Sequence, residues 1–99
     1  MTKADIVARI AQTTGMTKAD TSEVLDALLE SISAAMGRGE KIEMRGFGIF
    51  KVENRKARVA RNPKTGQEIR IPPRSVPVFK PSDHLKERVQ EGTDPNNNV

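Results

Sequence analysis

The 99-residue chain contains no cysteine, no tryptophan, no tyrosine and a single histidine, His84. Without thiols there is no disulfide framework, no thiolate nucleophile and no cysteine-type zinc site, a composition that fits a reducing compartment. One imidazole alone is no ligand set for a transition metal, so no metal and no cofactor are expected. The aromatic residues are Phe47, Phe50 and Phe79 only. A chain this short buries a modest fraction of its surface, which makes a partner chain a natural source of further core. No apolar run approaches the length of a membrane span, and Lys3 and Asp5 are followed by no hydrophobic stretch of the kind that trails a basic leader. Both features predict a soluble intracellular protein with no membrane partner. There is no glycine-rich phosphate loop ending in Lys-Ser or Lys-Thr, and no nucleophile beside a plausible base, so the sequence does not read as an enzyme.

Acidic residues are scarce in one place. From Met1 to Met44 seven acidic residues face five basic ones, whereas from Arg45 to Lys80 ten basic residues face only Glu53 and Glu68. The overall net charge of +4 therefore hides a polycationic middle. Solvated faces ordinarily mix signs, and a whole β element given over to one sign points instead to a polyanion. Arginine outnumbers lysine there six to four, which suits forked contacts with phosphates and groove edges. No amphipathic basic helix is available to lie in a lipid interface, so nucleic acid is favoured over a membrane.

The pattern predicts an α+β fold. Thr2 with Asp5, and again Thr17 with Asp20, have capping-box spacing, and Ile6, Val7 and Ile10 start an apolar face. Val24, Leu25, Leu28, Leu29, Ile32, Ala35 and Met36 form one wide stripe on a second helix. Gly15 separates the helices, and Gly37 with Gly39 ends the second, giving an N-terminal helical hairpin. Ile42 and Met44 alternate with charged residues, and Gly46-Phe47-Gly48 turns the chain into Ile49, Phe50 and Val52, the start of an antiparallel β-sheet.

Past Val52 the sheet is expected to extend into a long, projecting basic β-ribbon arm, about 53–75, with Arg55 and Arg61 on one face and Lys56 and Arg58 on the other. Its tip, Asn62-Pro63-Lys64-Thr65-Gly66, suits a type I turn with Pro63 second and Gly66 left-handed. The return through Pro72, Pro73 and Pro77 fits an edge strand or irregular segment. A short C-terminal helix starts near Ser82 and Asp83, and residues 91–99 are expected to form a disordered tail. Two readings stay open at two positions. Pro63 is either a turn-former or a rigid apolar wedge that enters a minor groove and kinks the duplex, and Gly46–Gly48 is either a tight bend or a phosphate-binding backbone. His84 reads as a solvated residue in the first turn of the last helix.

The runs Gly46-Phe47-Gly48-Ile49-Phe50, Arg58-Val59-Ala60-Arg61-Asn62-Pro63-Lys64-Thr65-Gly66, and Ile71-Pro72 through Val76-Pro77-Val78-Phe79-Lys80 closely resemble the bacterial histone-like HU and integration host factor family. The likeness covers residues 1–90 and lies nearer to HU. It implies an intertwined homodimer in the cytoplasm, on the nucleoid. The two arms would wrap bent double-stranded DNA, nicked or distorted duplexes included, in the minor groove, with Pro63 at each kink. Carried over by position, the DNA-binding residues would be Arg55, Lys56, Arg58, Arg61, Asn62, Pro63, Lys64, Thr65, Gly66, Arg70 and Arg74 on the arm. Gly46, Phe47, Gly48, Lys80 and Lys86, with Lys3 on the body, would hold flanking phosphates. Two features depart from the family pattern: Ala60 stands where many relatives have glycine, and Asp83 with His84 occupies a stretch that is commonly basic. A site-selective subunit like integration host factor, or a basic ribbon that grips RNA or an acidic protein, are the alternative readings.

Overall fold

The computed structural model of the chain describes residues 1–93 and divides into two units, Met1–Ala35 and the part from Met36 onward. In the first, Thr2 caps α1 (Lys3–Thr14) with a complete capping box. The Asp5 N–H donates to Thr2 Oγ1 (3.3 Å), and the Thr2 N–H donates back to Asp5 Oδ2 (2.7 Å). The Thr2 N–H, and after it the Thr2 side chain, hold the Asp5 carboxyl below the usual carboxylate range. A depressed carboxyl stabilises the fold above its unfolded pKa, and the contribution is lost as the pH falls through the folded value. Gly15 ends α1 in the left-handed region at φ 78°, and α2 (Lys18–Gly37) follows. Here Thr17 Oγ1 accepts the Asp20 N–H at 3.1 Å, one half of the capping box expected from the sequence. An ion pair between Lys3 and Asp26 ties the start of α1 to α2, as a hairpin of helices requires.

Few apolar side chains find cover within the chain. Among the described residues Val7, Ala11, Thr21 and Gly48 are buried, whereas Val24 is 60% exposed, Leu28 43% and Leu29 47%. The wide stripe read from the sequence is present on α2, with Val24, Leu28 and Leu29 exposed and Leu25, Ile32, Ala35 and Met36 half-buried.

In the second unit β1 (Ile42–Met44) pairs antiparallel with β2 (Gly48–Arg55), and β2 pairs antiparallel with β5 (Arg74–Pro81), in the order β1-β2-β5. The turn between β1 and β2 is closed by the Phe47 N–H donating to Met44 O (2.9 Å), with Gly46 at φ 81° in the position where such a turn takes glycine. One sheet face carries Ile42, Phe50, Val52 and Phe79, and the Phe50 and Phe79 rings lie 4.8 Å apart, with Phe47 5.2 Å from Phe79. Gly48 sits where nothing larger fits, since a Cβ there would stand 2.6 Å from Lys80 O and from the Phe79 ring. Gly48→Ala is therefore expected to destabilise the fold by about 1–3 kcal/mol through overpacking. Denaturant unfolding measures this, and a change within the usual surface range of about 0.5 kcal/mol would refute the close approach.

The arm departs from the single long ribbon expected from the sequence. The β2–β5 ladder stops at Arg55↔Arg74, and a separate two-stranded sheet of β3 (Arg58–Arg61) and β4 (Glu68–Ile71) begins at Arg58↔Ile71. The interruption falls where Lys56 and Ala57 face Pro73 and Pro72, which have no N–H to donate to a ladder. The register is unchanged across it, so neither strand carries an extra residue. Pro77, opposite Val52, is tolerated because β5 is an edge strand.

Ser82 caps α3 (Asp83–Gly92) by accepting the Leu85 N–H at 3.1 Å. The helix takes in Glu91 and Gly92, which were expected in the tail, because its end is set by Thr93, whose N–H and hydroxyl both reach Val89 O. The rest of the expected tail, 94–99, lies outside the described residues.

Candidate nucleic-acid interface

One register from Gly48↔Pro81 to Arg61↔Glu68 sorts the side chains of the hairpin into two faces. Lys51, Arg55 and Arg61 on the outgoing strand share a face with Lys80, Arg74 and Arg70 on the return, and Glu53 and Glu68 lie on it too. Arg58 and Ala60 share the other face with Ile71 and Ile69, continuing the side that carries the phenylalanines at the base. The arm is thus less evenly charged than expected: its second face is largely apolar between Arg58 and the tip, with Ile69 52% exposed.

Both acids of the first face are engaged. Glu53 lies 3.6 Å from Lys51 and 3.7 Å from Arg55, and Glu68 lies 3.3 Å from Arg61, its direct cross-strand partner. Lys56, Arg58, Lys64, Arg70 and Arg74 have no ion-pair partner among the described residues and are exposed.

The tip is organised by Asn62. Its N–H donates to Gln67 O (2.9 Å), closing the loop, and its O accepts the Gly66 N–H (2.7 Å) with Gly66 at φ 71°. Its side-chain oxygen also accepts the Lys64 N–H (2.9 Å), the bond of an Asx turn. The loop therefore closes over five residues, from Asn62 to Gly66, rather than the four of the type I turn read from the sequence. Thr65 Oγ1 accepts the Gln67 N–H (3.3 Å), so Asn62, Thr65 and Gly66 build the loop, while Pro63 and Lys64 are left exposed at its outer end.

At the base, Gly46, Gly48, Lys80 and Lys86 meet around a shallow concavity, together with Arg45, Glu43 and Asp83. Ser82 fastens the start of α3 to the turn, its N–H donating to Phe47 O and its hydroxyl to Gly46 O (both 2.9 Å). The Phe47 amide is committed inside the turn, so the cations and not that N–H are what this hollow offers to a phosphate. Lys3 belongs to the helical unit and is held by Asp26. Sequence reasoning missed Arg45 and Lys51; the alternation Lys51, Glu53, Arg55 was the available signal for the second.

Comparison with known proteins bears on what this surface is. Residues 1–90 match the family described as bacterial DNA-binding protein. The chain is 42% identical over 90 residues to DNA-binding protein HU of Geobacillus stearothermophilus, covering 91% of this chain and 100% of that one. It is 42% identical over 93 residues to integration host factor subunit alpha of Pseudoalteromonas translucida, covering 94% of each. Among solved structures it resembles a cocrystal structure of Anabaena HU with DNA, with a TM-score of 0.82 and 39% identity over 90% of this chain and 97% of that one. It also resembles HU from Thermotoga maritima, with a TM-score of 0.66 and 34% identity over 90% and 98% of the two chains. The chain belongs to the bacterial DNA-binding protein family, with the HU proteins and integration host factor subunits to which it is similar.

Proposed function

We propose that this chain is an architectural DNA-binding protein of the bacterial nucleoid that acts as a homodimer and bends double-stranded DNA with little sequence preference. The observation that carries the reading is the hairpin itself. A single register aligns a face rich in lysine and arginine from the sheet to the tip, and the tip leaves Pro63 exposed on a loop closed by the hydrogen bonds of Asn62. Arg55, Arg58, Arg70 and Arg74 contact phosphates and groove edges along the arm, and Arg61 joins them once released from Glu68. Lys80 and Lys86, with Lys3 once released from Asp26, take flanking phosphates. Pro63 acts as the wedge: a ring with fixed φ enters between base steps from the minor groove and offsets part of the unstacking cost, about a few kcal/mol per step. The minor groove offers little sequence code, which fits weak selectivity.

The homodimer follows from what one chain leaves open. Val24, Leu28 and Leu29 on α2 and Phe47 in the turn are each more than 40% exposed, and a second copy supplies the missing cover.

Competition titrations with linear duplex, nicked duplex and duplex RNA test the function. The expected order is nicked DNA first, linear DNA next and RNA last, because a nick removes stiffness that the wedge must otherwise overcome. Pro63→Ala is expected to lose most of the preference for the nicked duplex while binding linear duplex nearly as before, with the fold unchanged. Equal or tighter binding to RNA would point to a different polyanion.

A further inference from the structure

Between Lys56 and Lys80 the chain has one acidic residue, Glu68. It does not sit at the margin of the arm. It lies directly opposite Arg61 in the last strand pair before the tip, with its Oε1 3.3 Å from Arg61 Nη2 and with Arg70 two residues along on the same face. Arg61 and Glu68 side chains are 69% and 63% exposed, so the pair stands in solvent where a phosphate can reach it. A carboxylate at this point works against any polyanion that the ribbon grips, and it occupies the one arginine nearest Pro63.

We propose that Glu68 is an internal competitor for phosphate, an affinity-limiting residue that holds the Arg61 guanidinium across the ribbon and withholds it from DNA. The inference rests on the arm being the DNA-binding element. An exposed ion pair contributes little to stability, because two long side chains lose freedom in making it and water screens it. The same weakness suits a competitor, since the pair opens at small cost where a phosphate approaches closely and otherwise leaves Arg61 neutralised. The neighbouring Arg58, on the opposite face and without an acidic partner, is not restrained in this way.

A double-mutant cycle in the full-length protein tests this, with a duplex of fixed sequence as the probe and binding read over a range of salt. Glu68→Gln keeps the shape of the side chain and frees Arg61. It is expected to tighten binding about two- to fivefold per arm, the range of an exposed ion pair, and to steepen the salt dependence by about 0.9 per arm. Arg61→Ala is expected to change binding less than about twofold in the wild-type background and to cancel the Glu68→Gln gain in the other, the coupling expected of contacting residues. Arg58→Ala is expected to cost the same in both backgrounds. If Arg61→Ala weakens binding equally with and without Glu68, the carboxylate acts only through net charge and the proposal is overturned while the arm reading stands. If Arg58→Ala, Arg61→Ala and Glu68→Gln all leave binding unchanged, the arm is not the DNA-binding element and both fall.

Discussion

Replacing Arg58, Arg70 and Arg74 together by alanine is expected to weaken binding to linear duplex about a hundredfold or more at physiological salt, and to flatten its salt dependence. Each cation that neutralises a phosphate releases a counterion, so removing one such cation lowers the slope of log K against log salt by about 0.9. A homodimer loses these residues from both arms. All three are exposed and none has an ion-pair partner among the described residues, so the fold has no reason to suffer. Thermal unfolding of the variant should match wild type. A slope that stays the same after the triple substitution would mean that the arm does not neutralise the phosphates.

The second large effect concerns α2. Leu28→Ala/Leu29→Ala alters side chains that are 43% and 47% exposed in the single chain. Surface substitutions away from special features usually cost within about 0.5 kcal/mol. If a second copy covers this stripe, each leucine instead behaves as core, at about 2–5 kcal/mol apiece, and the double variant should be largely unfolded at room temperature. Wild-type protein should sediment as a dimer at micromolar concentration, with a melting temperature that rises with concentration because association and folding are linked. A wild-type monomer that keeps its full helical signal at low nanomolar concentration, or a double variant of near-normal stability, would contradict the dimer.

Most elements were legible because their signals are local. Thr2 with Asp5, Gly15 and Gly37 with Gly39 mark the helices within one turn of each boundary, and Asn62 to Gly66 carries the chemistry of its own loop. The parts that escaped depend on register or on partners distant in the chain. Pro72 and Pro73 were visible as breakers of a return strand, yet only the pairing places them opposite Lys56 and Ala57 and so divides the ladder. Charge counting made Arg61 and Lys3 equivalent to the other cations, whereas Glu68 and Asp26 hold them. Residues 91–99 read as a tail, but the bonds from Thr93 to Val89 carry the last helix through Gly92. The apolar side of the arm, Ala60 with Ile69 and Ile71, emerges only when the two strands are aligned.

The central claim is that the protein bends DNA, and the direct measurement is energy transfer between dyes at the two ends of a short linear duplex at saturating protein. The account predicts a marked rise in transfer with wild type, from ends drawn together, and a clearly smaller rise with Pro63→Ala at the same occupancy. Full occupancy by wild type with no change in transfer would contradict it.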